Sequence, residues 1–193
     1  MIEVWYEFAS TYSYLATARV ESVAAAAGQP LSWKPFLLGP VFARQGWTDS
    51  PFNIYPAKGA YMWRDLERTC ARTGLPFRRP SVFPRNGVRA ARVAIAGANE
   101  PWIGAFTRAV YHANFVDDRD ISNPDEIIRI LDALGLAGRE LVDSAESADN
   151  KPKLREQTER AIALGIFGAP SFIVGGELFW GNDRLDEAIA WPS

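Results

Sequence analysis

Residues that commonly hold metals or carry redox chemistry are nearly missing: 193 residues include a single cysteine, Cys70, and a single histidine, His112. One cysteine closes no internal disulfide, and without a Cys/His cluster no zinc site is expected. Neither sign of charge is in excess. The 21 Lys+Arg against 23 Asp+Glu give a formal net charge of −2, which argues against the basic face that nucleic-acid binding requires. Long apolar runs are absent too. The longest, at residues 23–27 and at 90–98 (broken by Arg92 and Gly97), fall far short of the ~18–20 residues that cross a bilayer. The opening MIEVWYEFAS carries Glu3 and Glu7 where a secretory leader would be basic. The expectation is a soluble cytoplasmic protein that engages neither membrane nor nucleic acid.

What is present is enough apolar material for a core, with 48% hydrophobic residues of which the aromatics make 12% of the chain. A chain of this length buries about 70% of its unfolded surface. Residues 2–8, IEVWYEF, alternate Ile2, Val4, Tyr6 and Phe8 against Glu3, Trp5 and Glu7, which predicts a strand. From residue 12 to 27 the pattern turns helical and closes at Gly28 and Pro30; residues 31–36 read as a second strand stopped by Pro35. This βαβ opening implies a parallel pair.

Residues 38–50 show no periodicity, and beyond them nearly every element to residue 150 reads as helix. Residues 60–73 carry Met62, Trp63, Leu66 and Cys70 at helical spacing, and two more helices are expected over 88–98 and 101–114. Asn123-Pro124-Asp125-Glu126 supplies an N-cap, a proline at the first helical position and acids in the first turn. The last segment returns to α/β. A helix over 151–164 precedes short strands at Ser171–Val174 and Glu177–Trp180, joined by Gly175-Gly176, and Asn182-Asp183-Arg184 opens a final helix. The order predicts an α/β domain in two pieces, residues 1–37 and 151–193, with an all-helical insertion over 38–150.

Three stretches have chemical potential. Ser10-Thr11-Tyr12-Ser13 lies where the first strand meets the first helix, so that main-chain N–H groups and a hydroxyl can face an anion; alone, it reads as an ordinary N-cap. Phe167-Gly168-Ala169-Pro170-Ser171-Phe172 places a proline directly before a strand, where a cis bond leaves the preceding backbone free to pair with an extended ligand; alone, it is a turn. Gly181-Asn182-Asp183-Arg184 is a third helix start, able to dock a charged ligand end or simply to cap. Cys70 falls on an apolar stripe and reads as core. His112 has no partner at ligand spacing, and the tryptophans read as core or pocket lining, with Trp47 and Trp180 nearest a ligand.

In this order, and with the helical segment between them, these motifs and Phe179-Trp180-Gly181-Asn182-Asp183-Arg184-Leu185 resemble the 2-hydroxychromene-2-carboxylate isomerases. Those enzymes are relatives of kappa-class glutathione transferases on a DsbA-like thioredoxin fold. The resemblance spans essentially the whole chain. It implies a thioredoxin-like α/β fold, glutathione as cofactor, a small aromatic substrate and a homodimer. It implies that Ser10 is the catalytic residue facing the glutathione sulfur, with Thr11 and Tyr12 beside it. Redox relatives place the first cysteine of a Cys-x-x-Cys pair there; here both ends, Ser10 and Ser13, are hydroxyls. Ala169, before a cis Pro170, corresponds to the residue pairing with the cysteinyl backbone, Asn182 and Asp183 to the γ-glutamyl turn, and Lys58 to the lysine near the glycyl carboxylate.

The chain departs from that pattern at Phe42-Ala43-Arg44-Gln45-Gly46-Trp47, where many relatives carry Gly-Asn. Either Asn53 replaces that asparagine through a longer loop or the contact is missing. Arg44, Trp47, Arg64 and Arg85 are the candidates for contacting the substrate, the arginines together with Lys58 for its carboxylate. The implied reaction is cis-trans isomerisation by reversible thiolate addition. The alternatives are a kappa-like transferase or peroxidase, and a non-catalytic binding protein on the same fold; disulfide exchange does not suit a chain lacking cysteine at both positions.

Overall fold

A computed structural model describes residues 1–192. Its strands are β1 (Ile2–Tyr6), β2 (Leu31–Pro35), β3 (Ser171–Val174) and β4 (Glu177–Trp180), and its helices are α1 (Thr11–Thr17), α2 (Val20–Ala26), α3 (Leu38–Arg44), α4 (Pro51–Ile54), α5 (Pro56–Thr73), α6 (Val88–Ala96), α7 (Ile103–Phe115), α8 (Pro124–Ala133), α9 (Gly138–Ala145), α10 (Lys151–Ala163) and α11 (Leu185–Ala190). A 3-10 turn over Asn182–Arg184 leads into α11. The sheet order is β2-β1-β3-β4. β1 runs parallel to β2 and antiparallel to β3, which forms a hairpin with β4. Gly175 and Gly176 take the positive φ values, 58° and 88°, that a two-residue hairpin turn requires.

Alternation along β1 divides the interior. Ile2, Val4 and Tyr6 face a large core with Phe172 and Val174, roofed by helices that include α1, α5, α6 and α7. Trp5 faces the other way and packs with Phe36, Val41 of α3, and Ala161 of α10. Both faces of the central strand are therefore buried. A large apolar side chain fully buried in this way stabilises by about 1.5–3 kcal/mol. Helices from residues 38–150 share the larger core with β1 and β3, so the sheet has no separate interior on that side.

The observed elements match the sequence reading most closely in the C-terminal hairpin and α8. Three corrections concern helices. The helix expected over 12–27 is two, because the Thr17 hydroxyl bonds back to the Ser13 carbonyl at 2.8 Å and Arg19 leaves helical geometry at φ −123°. The segment 38–50, read as aperiodic, contains the short helix α3, set against Trp5 by Val41. α5 also starts at Pro56 rather than near residue 60, with proline in its first turn.

Candidate active site

β1 ends at Tyr6, and Glu7-Phe8-Ala9 carries the chain to Ser10, the N-cap of α1. Ser10 Oγ accepts from the Ser13 N–H at 3.2 Å and donates to the carbonyl of Ala169 at 3.0 Å. The Ala169–Pro170 bond is cis. This second segment is held from both sides: the Gly181 N–H donates to Pro170 O at 2.9 Å, and Ser171 Oγ donates to Gly168 O at 2.9 Å. Ser10 and Pro170 are buried and Ala169 is half-buried, so the junction is only partly open to solvent.

Tyr12 ties this junction to the helical segment. Its hydroxyl donates to Asp65 of α5 at 3.1 Å, and its ring lies 6.3 Å from that of Phe52 in α4. Burial, then Asp65, push the Tyr12 hydroxyl well above its ordinary range, and Asp183 adds to the effect from the 3-10 turn. Asn182 is anchored by Arg19, whose guanidinium donates to the Asn182 carbonyl at 2.9 Å and pairs with Asp186 at 2.9 Å. Thr11 is buried in the first turn of α1. The structure thus brings together Ser10, Thr11, Tyr12, Ala169 and Pro170, with Asp183 within electrostatic reach of Tyr12.

The other candidates have different settings. Asn53 is exposed and donates its amide to Asp49 at 3.0 Å. Lys58 is exposed in the first turn of α5, its ammonium 5.5 Å from the Tyr55 ring centre. Arg64 pairs with Glu67 on the same helix, and Arg44 is exposed at the end of α3. Trp47 packs on Phe42, and the intervening Gln45 donates to the Phe167 carbonyl at 3.4 Å, which joins this loop to the cis-proline segment. Phe167 in turn packs against Trp180, with ring centres 4.9 Å apart.

Arg85 is committed to an internal network. Its side chain is only 5% exposed and donates to Asn114 Oδ1 at 3.1 Å, to Ser81 Oγ at 3.2 Å and to Asp118. A carboxylate arriving from solvent reaches it only by breaking that network. Cys70 is buried, as its stripe implied, and burial pushes its thiol up to about 11, so it is not a ready nucleophile.

The residues beneath Ser10 were not legible as a group. Along α7, Thr107, Tyr111 and Asn114 recur at i, i+4 and i+7. The Thr107 hydroxyl meets the Tyr6 hydroxyl at 3.0 Å, Tyr111 donates to Glu7 O at 2.7 Å, and Asn114 donates to Phe8 O at 3.3 Å. The last two bonds satisfy main-chain carbonyls just past the end of β1, and with the Tyr6 contact they fix the path to Ser10. The available signal was polar residues at helical spacing on a face otherwise apolar.

Residues 1–188 match the family model for the DSBA-like thioredoxin domain. The chain is 28% identical, over 96% of its length and 94% of the relative's, to the 2-hydroxychromene-2-carboxylate isomerase of Sphingobium xenophagum. It is 26% identical to glutathione S-transferase kappa 2 of Caenorhabditis elegans, over 97% and 89% of the two chains. Among solved structures, a selenomethionine 2-hydroxychromene-2-carboxylate isomerase superposes with a TM-score of 0.86 at 24% identity, covering 95% of this chain and 90% of that one, which shows the shared fold.

Proposed function

The chain belongs to the DSBA-like thioredoxin domain family, and from that membership we propose that it is a glutathione-dependent isomerase acting on 2-hydroxychromene-2-carboxylate or a similar aromatic ring-cleavage product. The observation that carries this reading is the 3.0 Å hydrogen bond from Ser10 Oγ to Ala169 O beside cis-Pro170. A hydroxyl donor and a half-buried main-chain segment just ahead of β3 meet at one point, which fits the thiol and backbone of a cysteinyl residue. Similarity to an isomerase and to a kappa glutathione transferase over nearly full length supports the same reading.

Bound glutathione would supply a thiolate that adds reversibly to a conjugated double bond of the substrate, allowing rotation before it leaves. The protein's own part is position and charge. Ser10 turns its hydroxyl from Ala169 to the sulfur, where a charge-assisted hydrogen bond favours the thiolate. Ala169 pairs with the cysteinyl backbone, Asn182 and Asp183 receive the γ-glutamyl end, and Lys58 faces the glycyl carboxylate. Thr11, Tyr12 and Asn53 border the ligand. Arg44 and Arg64 are the exposed cations for a substrate carboxylate, with Trp47 as an apolar wall, while Arg85 holds the frame beneath. The same reading takes the protein as a cytoplasmic homodimer.

A ring-cleavage product incubated with the protein should isomerise only when glutathione is present, and turnover should fall by about tenfold or more in Ser10→Ala. Conjugation of a chlorinated nitroaromatic, or reduction of an organic peroxide, without isomerisation would favour the kappa-type reading, which the C. elegans relative supports. Absence of glutathione binding by calorimetry would leave a non-catalytic binding protein.

A further inference from the structure

Among the described residues, two carboxyl side chains are buried. Glu126 pairs with Arg119 and Arg129 at 2.6 and 2.7 Å, whereas Glu7 has no cation. Glu7 lies in the link that carries Ser10: its Oε2 accepts the Ala9 N–H at 2.9 Å, and its main-chain carbonyl accepts the Ser10 N–H at 3.0 Å. Gly87, ahead of α6, closes over it. A Cβ there would lie 2.9 Å from Phe8 Cβ and 3.3 Å from Glu7 Oε1, so nothing larger than hydrogen fits.

The groups facing Glu7 offer no compensating charge. α7 presents the Tyr111 hydroxyl, already donated to the Glu7 carbonyl; the Ser13 hydroxyl of α1 and Tyr6 of β1, itself bonded to Thr107, lie beside that tyrosine and are uncharged. Arg85, in the segment before α6, turns its guanidinium to Asn114, Ser81 and Asp118. A second negative charge brought to Ser10 therefore shares a poorly solvated region with the Glu7 carboxyl, with no cation between them.

We propose that Glu7 is a positioning residue that controls the charge of the thiol held at Ser10: the site accepts one negative charge, so the thiolate forms while Glu7 keeps its proton. This rests on the reading of Ser10 as the residue facing glutathione. Burial pushes the Glu7 carboxyl up to about 8, against the stabilising pull of the Ala9 and Ser10 N–H groups. That is close to the ordinary range of a thiol, about 8.5, so the two titrations compete just above neutral pH.

Infrared spectroscopy of the wild-type protein reads the protonated-carboxyl band that persists at neutral pH. Saturating glutathione should raise the pH at which this band is lost by about one unit. S-methylglutathione, which has no ionisable thiol, should bind without moving it. In Glu7→Gln the ultraviolet thiolate absorbance of bound glutathione should develop about one pH unit lower than in wild type. An unmoved band with glutathione bound by calorimetry, or an equal shift with the methylated form, overturns the role of Glu7 while leaving the glutathione site standing. No binding of either ligand overturns the glutathione reading itself, and this inference with it.

Discussion

Ser10 Oγ donates to the main-chain carbonyl of Ala169 at 3.0 Å, across 159 positions of sequence, and accepts from the Ser13 N–H at 3.2 Å. One hydroxyl thus caps α1 and joins it to the cis-proline segment. Ser10→Ala removes both bonds, and the expected cost is about 1–2 kcal/mol. Urea unfolding should show a lower midpoint with an unchanged slope. The same variant should lose the thiolate absorbance of added glutathione; undiminished absorbance would separate Ser10 from the thiol.

The contact between α4 and α5 depends on Gly59, where a Cβ would lie 2.2 Å from the Phe52 carbonyl oxygen. The obstacle is backbone, so α4 must move, and Phe52 must move off the Tyr12 ring with it. Gly59→Ala is expected to cost about 1–3 kcal/mol. Gly39→Ala is the matched control, because α3 offers its Cβ open space at negative φ. There the melting temperature should hold or rise slightly, since alanine is the better helix former.

Asp118 takes φ 56° to bring its carboxylate to Arg85 and to the Ser81 N–H, the latter at 2.8 Å. The Ser81 N–H, with the Arg85 guanidinium, holds the Asp118 carboxyl down at about 2, below its ordinary 3.8. The folded value is the lower one, so the native state favours the ionised form. The stabilisation is present above about pH 4 and is lost as pH falls through about 2. Asp118→Asn should lower the urea midpoint at neutral pH, and its deficit relative to wild type should shrink as the solution is acidified through that window. A deficit that stays constant would mean the network does not depend on the charge.

Local signals carried much of this architecture. The hairpin glycines, the cap and proline of α8, and the alternation of β1 each specify their geometry within a few residues; the first two are where the sequence places them, and the strand expected over 2–8 holds from Ile2 to Tyr6. The cis bond at Pro170 was expected only through the family resemblance, because alone the stretch reads as a turn. What escaped depends on distant partners. α3 is a single short helix whose place is set by Trp5 and Ala161, neither near it in sequence. Arg85 looked like a free cation because no local pattern shows that Asp118 and Asn114 fold onto it. Glu7 looked like the outer face of a strand, but the strand stops at Tyr6 and the side chain turns inward toward the Ala9 N–H.

That inward turn has a measurable consequence for stability. The Glu7 carboxyl, ordinarily near 4.5, is pushed up to about 8 chiefly by burial, so the folded value is the higher one and the native state favours the protonated form. Between those two values the native protein binds a proton that the unfolded chain has released. Wild-type stability should therefore fall as pH rises across the window, with a slope approaching about 1.4 kcal/mol per pH unit from this group. Glu7→Gln keeps the shape and removes the titration, so its advantage over wild type should widen steadily with pH and level off above about 8. Urea midpoints of the two proteins, measured in parallel from about pH 5 to pH 9, isolate this term because every other group is common to both. If the difference does not change with pH, the carboxyl ionises in the folded protein as it does in water, and its competition with a thiolate at Ser10 has no physical basis.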